Sequence, residues 1–506
     1  MILTGGTVLD GTGAPPRQAD VVLRGDTIEA VLAPADRVGT DVTDVTGKIV
    51  CPGFVDIHTH SDLTLLSNPL AHSKIRQGVT TEVVGNCGLG VAPSEEDSTA
   101  LRAAVAYLDL DPAVRITWRD TDGYLTAVAA AAPSVNVAAL VGHVPVRAAV
   151  LGFTDRPATP AEVDRMCALV AEAFAGGAVG LSTGLAYPPL RTAERAELTA
   201  LGAVVAAHDK ILTWHLRDYG DDLRTAAAEA IQVAETTGCR TQLSHLCAVG
   251  RRNWGAVTDV LAMIDESEVD IGVDLYPYLA GNAPLSQLLP AWVTDGGADT
   301  TRERLADPVV RQRIRAAWAD NALSWDEITV SALPGDQAPL RRTIADLGAA
   351  DAALDLIAAH GNAVIMTAGG RGADDLAAVL AHPTSVVASD GLALDPAGPT
   401  GGGVPHPRSY GCFPRFLASG TVPLPEAVRK ATSAPAARIG LIDRGVLAEG
   451  NRADIVVLDP DALADRATFT DPHRFPAGID LVLVNGEVVV ANGEHTGARP
   501  GVVHRN

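Results

Sequence analysis

The stretch Gly53-Phe54-Val55-Asp56-Ile57-His58-Thr59-His60-Ser61-Asp62 combines a short apolar strand with two histidines one residue apart. Val55 and Ile57 alternate with polar neighbours, as they do in a short β-strand. Side chains at positions i and i+2 of an extended chain point to the same side, so His58 and His60 can reach one metal ion together. Neutral imidazole nitrogens are ligands that zinc accepts. Two histidines one residue apart also occur in ordinary loops, so the rest of the chain decides between a metal site and a loop.

The composition is that of a folded protein with an acidic surface. The 506 residues are 47% hydrophobic and carry a formal net charge of −22. Most of such a surface would repel a nucleic-acid backbone or an anionic membrane, so neither is an expected partner. The chain has neither a leader pattern nor a run of about 18 apolar residues. We therefore predict a cytoplasmic protein.

The cysteines argue against a disulfide framework. They are scattered without close spacing and form no CxxC module, so a reduced protein is expected. The six positions are Cys51, Cys87, Cys167, Cys239, Cys247 and Cys412.

Both ends of the chain have the character of short strands. Residues 21–28 are β-type residues interrupted by a Gly-Asp turn, and residues 481–490 form a hairpin pattern with Asn485-Gly486 at its turn. Neither terminal segment can bury both of its faces alone. We therefore predict that residues 1–52 and 436–506 pair into one small β-sandwich domain.

Residues 53–435 repeat a strand and helix pattern at intervals of roughly 30 residues, the length of a βα unit. One helix follows Thr159-Pro160-Ala161-Glu162, a capping box with proline at the first helical position. Such repeats, with strands that are apolar throughout, predict an α/β fold with a parallel sheet covered by helices, here a (β/α)8 TIM-like barrel. The strand candidates lie at 54–58, 80–86, 136–141, 178–182, 211–215, 241–245, 270–275, 363–367 and 385–389.

These candidates number nine, one more than a (β/α)8 barrel needs. The strand at 363–367 is therefore assigned to an insertion. Residues 284–345 are rich in Pro, Asp and Arg and weak in strand patterns. We predict that this segment is an insertion that lies over the barrel mouth as a lid.

Polar side chains follow the carboxyl ends of the predicted strands, the face where TIM-barrel active sites lie. They are His58, His60, Cys87, His143, His215, His245, Tyr276 and Asp390. One or two such positions would be unremarkable, but this many indicate a common site. His143 is the weakest member, because it precedes Val144-Pro145 and suits a structural place in a loop equally well.

Two of these residues suggest metal-dependent hydrolysis. Cys87 lies in Gly85-Asn86-Cys87-Gly88, and a thiolate beside imidazoles is a good zinc ligand, although a lone buried cysteine is usually inert. Asp390 ends the last apolar strand, where an Asp-Gly turn is the structural alternative. Its carboxylate can both touch a metal and carry a proton from water to a leaving nitrogen.

The chain resembles the amidohydrolase superfamily and, within it, the N-acyl-D-amino-acid deacylase (D-aminoacylase) family. The resemblance spans nearly the whole chain. Many other superfamily members bridge their metals with a carboxylated lysine or a glutamate, and no lysine is found here at the end of the fourth barrel strand. The motifs that carry it are residues 53–62, Gly78-Val79-Thr80-Thr81, Gly85-Asn86-Cys87-Gly88, residues 177–185, Asp274-Leu275-Tyr276-Pro277-Tyr278 and His406-Pro407-Arg408-Ser409-Tyr410-Gly411.

The resemblance implies a zinc-dependent amidohydrolase that cleaves an N-acyl amide bond with metal-activated water and Asp390 as general acid/base. The products would be a carboxylic acid and, in the family, usually a D-amino acid. It further implies one tight Zn²⁺ site and an adjacent weaker one. The tight site would comprise Cys87, His215 and His245, and the weaker one His58, His60 and Asp390.

The chain departs from the family at two positions near the expected site. The family commonly has a lysine, which helps to bind the substrate carboxylate, after the histidine of the sixth barrel strand, and Cys247 stands there instead. Tyr219 stands where the family commonly has a glutamate after the histidine of the fifth barrel strand. Loss of a charge-assisted contact typically costs about 1.5–3 kcal/mol. Either another cation replaces the lysine, or the substrate has no free carboxylate. The substrate-binding candidates are Tyr276, Cys247, Arg408, Tyr219, Arg371 and His143, with Arg251 and Arg252 as further replacement cations.

Two other functions are compatible with the sequence. A cyclic-amide hydrolase of the hydantoinase or dihydroorotase type would share the barrel and the metal chemistry, but such enzymes usually carry the strand 4 lysine. A scaffold without catalysis would be expected to have lost metal ligands, yet all six are present. The expected partner is a small N-acylated molecule, and the sequence leaves the oligomeric state open.

Overall fold

A computed structural model describes residues 1–35, 41–95, 98–154, 156–335 and 337–505. Its strands are β1 (Ile2–Val8), β2 (Arg17–Arg24), β3 (Thr27–Leu32), β4 (Val42–Asp44), β5 (Ile49–Pro52), β6 (Phe54–Asp56), β7 (Val79–Val84), β8 (Asn136–Gly142), β9 (Gly180–Gly184), β10 (Ile211–His215), β11 (Arg240–Leu243), β12 (Ile271–Leu275), β13 (Gly281–Pro284), β14 (Ile328–Ala332), β15 (Ile365–Ala368), β16 (Ser385–Val387), β17 (Ile455–Leu458), β18 (Ile479–Val484), β19 (Glu487–Ala491) and β20 (Glu494–His495).

The helices lie mainly between the barrel strands and in the inserted segment. They are α1 (Thr64–Ser67), α2 (His72–Ile75), α3 (Thr99–Ala104), α4 (Thr121–Ala131), α5 (His143–Leu151), α6 (Pro160–Ala175), α7 (Arg195–Ala207), α8 (Leu223–Thr237), α9 (Ala256–Glu266), α10 (Ala291–Thr294), α11 (Gly297–Ala306), α12 (Pro308–Ala317), α13 (Ile344–Leu347), α14 (Ala350–His360), α15 (Ala373–Ala381), α16 (Arg408–Ala418), α17 (Leu424–Ala431) and α18 (Ser433–Arg438). None of those described is both long and apolar enough to cross a membrane.

Eight parallel strands form a nearly closed barrel, as the sequence predicts. Their order around the barrel is β6, β7, β8, β9, β10, β11, β12 and β16. The first and last strands meet just beyond their carboxyl ends. There the amide of Asp390 donates to the carbonyl of His58, and the amide of His60 donates to the carbonyl of Gly391, both at 2.8 Å. This seam holds the His-x-His pair beside Asp390.

Local sequence signals explain where the barrel helices begin. Helix α6 opens with the predicted capping box, in which the Thr159 side chain accepts from the Glu162 amide and the Glu162 side chain accepts from the Thr159 amide. Its buried residues include Met166, Val170 and Phe174, which recur at helical spacing and face the core. Strands β7, β8 and β9 are buried throughout, as expected where helices cover the sheet.

The two ends of the chain build one nine-stranded sheet, which is the predicted terminal β-domain. Strand β5 pairs antiparallel with β17, so that Cys51 lies opposite Val456 and the amino-terminal strands join the carboxyl-terminal ones. In the turn between β18 and β19, Asn485 and Gly486 have φ angles of 48° and 79°. Positive φ at both central residues is what a type I′ hairpin turn requires. The domain limits 1–52 and 436–506 stay a prediction.

The inserted segment contains a sheet of its own. Strands β13, β15 and β14 form this separate three-stranded sheet, which contains most of the candidate strand at 363–367. The sheet lies between residues 281 and 368, and the insertion limits 284–345 stay a prediction. Its own apolar core includes Leu305, Ile328 and Leu354. The sequence did not indicate β13 because this edge strand holds Asn282 and ends at Pro284, and edge strands depend on tertiary pairing.

Candidate metal centre

Six side chains from five barrel strands converge at the carboxyl face of the barrel. They follow or end β6, β7, β10, β11 and β16. Within the described chain their donor atoms form two groups, each with all of its atoms within 4.8 Å of one another. One group comprises Cys87, His215 and His245, and the other comprises His58, His60, Cys87 and Asp390. The sequence-based partition into two metal positions thus matches two overlapping donor groups that share Cys87.

The first group has the chemistry and spacing of a zinc site. The Cys87 Sγ lies 3.4 Å from the His245 Nε2, and the His215 Nδ1 lies 3.1 Å from the same nitrogen. Zinc bonds of about 2.0–2.3 Å in a tetrahedral arrangement place ligand atoms about 3.3–3.8 Å apart. One thiol and two imidazoles, nearly all buried, therefore fit a tightly held zinc ion.

The second group joins imidazoles to a carboxylate. The Asp390 Oδ1 lies 3.0 Å from the His60 Nε2 and 3.4 Å from the His58 Nε2. The His58 Nε2 is also 3.2 Å from the Cys87 Sγ, which places His58 between the two groups. The mixed oxygen and nitrogen donors suit a second divalent cation next to the first.

Three of these residues have positive φ angles, which are unusual for residues other than glycine. The φ angle is 56° at Cys87, 37° at His245 and 49° at Asp390. Each left-handed residue costs roughly 1–2 kcal/mol, and such strain clusters at functional sites. At Gly88, a Cβ would lie 2.7 Å from the backbone nitrogen of Gly184, so the loop that carries Cys87 packs too closely for any other residue. The fold therefore accepts strain to aim these side chains inward.

Burial favours the neutral forms of the three side chains in the first group, His215, His245 and Cys87. It lowers the pKa of His215 to about 3 and the pKa of His245 well below its usual value. Neutral imidazole is the form that binds a metal. Burial also raises the pKa of the Cys87 thiol, so a nearby cation is needed to form the thiolate.

Asp390 is held in its ionised form. Burial opposes its ionisation, but the Arg408 guanidinium and the neighbouring histidines outweigh it and keep the pKa of this carboxyl well below its usual value. The Arg408 Nη1 forms an ion pair with the Asp390 Oδ2 at 2.8 Å. Asp390 can therefore accept a proton at neutral pH.

Asp274, which the sequence analysis did not single out, positions two of the ligands. Its Oδ1 lies 3.0 Å from the His58 Nδ1 and accepts the backbone amide of His245 at 2.8 Å. A carboxylate on one ring nitrogen turns the other nitrogen toward the metal position. The sequence did contain a signal for this role, because Asp274 lies inside the apolar strand β12 and a buried carboxylate needs a partner.

Two tyrosines that the sequence analysis also missed lie at the site. Tyr187 donates its hydroxyl to the carbonyl of Cys87, and its ring is 5.1 Å from that of His215. Tyr107 packs edge-on against His60 with ring centroids 5.3 Å apart. Tyr187 could have been suspected from its place just after β9. Tyr107 follows no barrel strand, so the strand-end pattern gives no signal for it.

The predicted substrate-binding arginines have different surroundings. Both Arg371 and Arg408 lie over the ring of Tyr276, with guanidinium carbons 4.8 and 4.5 Å from the ring centroid. The Arg408 guanidinium pairs with Asp390, and its substrate-binding role stays a prediction. Arg252 pairs with Asp221 and Asp320.

Tyr219 contacts the loop that follows β11, and Cys247 lies in that loop. The Tyr219 hydroxyl accepts the amide of Leu216 at 2.9 Å and donates to the carbonyl of Ser244 at 3.0 Å. Its ring lies 5.1 Å from those of both His215 and His245. Tyr219 thus braces the two strands that carry these ligands. Cys247 is buried beside Arg371, whose positive charge opposes the effect of burial on the pKa of the thiol.

His143 belongs to neither of the two donor groups. Its Nδ1 is 3.1 Å from the Thr183 Oγ1 and its Nε2 is 3.0 Å from Glu197, which also pairs with Arg147. Both ring nitrogens are therefore used inside a fully buried network. These contacts fit the structural alternative for His143, and its substrate contact stays a prediction.

The amidohydrolase family model matches residues 41–271 and 287–490. The chain belongs to the amidohydrolase family. Among relatives of this amidohydrolase, the N-acyl-D-glutamate deacylase of Alcaligenes xylosoxydans xylosoxydans is 36% identical over 100% of this chain and 96% of its own length. The D-aminoacylase of the same organism is 35% identical over 99% of this chain and 97% of its own length.

A solved structure gives the same assignment. The N-acyl-D-glutamate deacylase from Bordetella bronchiseptica, complexed with zinc and a phosphonate inhibitor that mimics the tetrahedral intermediate, is 34% identical. It superposes with a TM-score of 0.84, covering 100% of this chain and 99% of that one. The predicted D-aminoacylase relationship, the barrel with its β-domain and the class of amide hydrolase are confirmed.

Proposed function

We propose that this amidohydrolase is a zinc-dependent deacylase of N-acyl-D-amino acids. The observation that carries the proposal is the convergence of the Cys87, His215 and His245 donors beside the Asp390 carboxylate. It is supported by relatives whose names describe deacylation of N-acyl-D-glutamate and N-acyl-D-amino acids. The substrate would be a small N-acylated molecule.

Cys87, His215 and His245 would hold the zinc, with His58, His60 and Asp390 as an adjacent, weaker position. Zinc bound there would supply Lewis-acid activation of water and polarisation of the amide carbonyl. Asp390 would accept a proton from the attacking water and deliver it to the leaving nitrogen. Its Oδ1 faces the imidazoles while its Oδ2 is held by Arg408. Oδ1 is therefore the atom that we assign to proton transfer.

Arg371 is the cation that we propose replaces the family lysine. It is anchored next to the loop that follows β11, because the Gly250 amide donates to the Gly370 carbonyl at 2.9 Å and Val249 pairs with Arg371. Its Nη1 is buried and has no hydrogen-bond partner among the described residues. A buried guanidinium nitrogen without an acceptor is costly. A substrate carboxylate beside Cys247 and Tyr276 would satisfy it.

Replacing Arg371 with methionine is expected to raise KM for N-acyl-D-amino acids roughly 10- to 100-fold, because a hydrogen-bonded contact to a charged group is lost. The measurement compares each N-acetyl-D-amino acid with its methyl ester, which has no carboxylate. KM for the ester should change little. The matched control is Arg252→Met, whose guanidinium pairs with Asp221 and Asp320 instead. Equal losses on acid and ester would contradict a carboxylate contact.

Replacing Cys247 with lysine restores the cation common in the family. We expect KM for N-acyl-D-amino acids to fall by roughly tenfold, since a second charge would then contact the carboxylate. Steady-state kinetics on the same panel would measure it, with Cys247→Met as the uncharged control of greater bulk. An unchanged KM would mean that Arg371 alone makes this contact.

The proposed function is tested by zinc content and product release together. Zinc per chain is measured by elemental analysis, and release is assayed on N-acetyl-D- and N-acetyl-L-amino acids. Stoichiometric zinc with D-selective release is the expected result. Zinc without release from any free N-acyl amino acid would redirect the search to substrates without a carboxylate. Ring opening of a hydantoin alone would favour a cyclic-amide hydrolase.

A further inference from the structure

Tyr107 connects the barrel site to the inserted sheet. It lies shortly after α3 and is buried, and its ring packs edge-on against His60. Its hydroxyl accepts from the Arg408 Nη2 at 3.1 Å and donates to the Asn282 Oδ1 at 3.2 Å. Asn282 belongs to β13, the first strand of the insertion.

The direction of these hydrogen bonds is determined by the Asn282 amide group. Its Nδ2 donates to the carbonyl of Met366 at 2.9 Å, and a carbonyl can only accept. Its Oδ1 must therefore face Tyr107. The Tyr107 hydroxyl consequently gives its hydrogen to Asn282 and presents a lone pair to Arg408. Reversing the hydroxyl would place two donors against each other.

Arg408 is thereby restrained from three sides. Its Nη2 is bound by Tyr107, its Nη1 pairs with the Asp390 Oδ2 at 2.8 Å, and its guanidinium lies over the Tyr276 ring. Held in this way, it fixes one oxygen of Asp390 and leaves the other 3.0 Å from the His60 Nε2. The rotamer of Asp390 thus depends on where Arg408 is held.

We propose that Tyr107 is a positioning residue for Asp390 that acts through Arg408 and is itself oriented by Asn282. The inference rests on the proposed role of Asp390 as the general acid/base. It also makes the site depend on the inserted sheet, which supplies Asn282. A second contact joins the same two segments, because the Asn362 side chain donates to the carbonyl of Ala103 at 3.2 Å.

The test replaces Tyr107 with phenylalanine, which keeps the ring against His60 and removes only the hydroxyl. We expect kcat to fall roughly 10- to 100-fold with little change in KM, as is typical when the partner of a catalytic group is removed. The matched control is Tyr124→Phe, since that buried hydroxyl donates to the carbonyl of Asp62 at 2.9 Å. The control should leave kcat unchanged. Asn282→Ala should also lower kcat, by a smaller factor, and it tests the proposal if the tyrosine variant folds poorly.

Two kinetic outcomes would overturn the proposal. One is a raised KM with unchanged kcat, which would make Tyr107 a substrate-binding residue. The other is the same loss of kcat when Tyr107→Phe is added to Asp390→Asn, because a residue that acts through Asp390 has no further effect once that carboxylate is gone.

A crystal structure of Tyr107→Phe separates this proposal from the proposed function. If the wild-type enzyme releases nothing from the N-acetyl panel, the function is wrong, but the positioning claim can still be measured. Displacement of Arg408 from the Asp390 Oδ2 in the variant would support it. Retention of the 2.8 Å contact would overturn it.

Discussion

Replacing Cys87 with alanine is expected to abolish tight zinc binding. Cys87 supplies the sole thiol of the donor group with His215 and His245, and its Sγ also lies 3.2 Å from the His58 Nε2. Two imidazoles without the thiolate leave the tetrahedral site short of a charged ligand. After dialysis against a chelator, the zinc content should fall from about one per chain to near zero. Turnover should fall with it.

The control for this variant is Cys51→Ala. Cys51 is fully buried on β5, opposite Val456, where it contacts the core rather than the site. Both variants remove one buried thiol, so a shared loss of stability is expected, but only Cys87→Ala should lose zinc. Unchanged zinc in Cys87→Ala would mean that Cys87 is a core residue and that the tight site is made by other donors.

The positions of the candidate metal ligands follow from local sequence patterns. In a parallel barrel all strands end at the same face, so a polar residue that directly follows an apolar strand must lie at that face. The His-x-His pair, Cys87, His215, His245 and Asp390 all obey this rule. The hairpin at Asn485-Gly486 and the capping box at Thr159 are equally local, and both were predicted correctly.

The partners of those ligands were not predictable from the same patterns. Tyr107 and Arg408 are 301 residues apart, and their contact exists because the segment after α3 and the start of α16 meet above the barrel. The sequence also does not show whether the charge of an arginine contacts a substrate or a carboxylate of the same chain. The sequence patterns therefore do not indicate that Arg408 pairs with Asp390.

Replacing Asp390 with asparagine is expected to remove most turnover while leaving the tight zinc in place. Asparagine keeps the shape and an oxygen acceptor toward Arg408, but it cannot take up a proton and return it to the leaving nitrogen. Loss of general acid/base catalysis lowers kcat by roughly 10²- to 10⁴-fold. Cys87, His215 and His245 are untouched, so zinc content should stay near that of the wild type.

The loss of turnover in Asp390→Asn should not be a consequence of its lower stability. The Arg408 guanidinium loses its ionised partner in a buried site, so the Tm should fall although the fold remains. The matched control is Asp465→Asn, a largely buried carboxylate that accepts the Tyr278 hydroxyl at 2.8 Å. It should lower the Tm without a comparable loss of kcat. A near-normal rate for zinc-loaded Asp390→Asn would refute the assignment, because a side chain that cannot titrate cannot carry the proton.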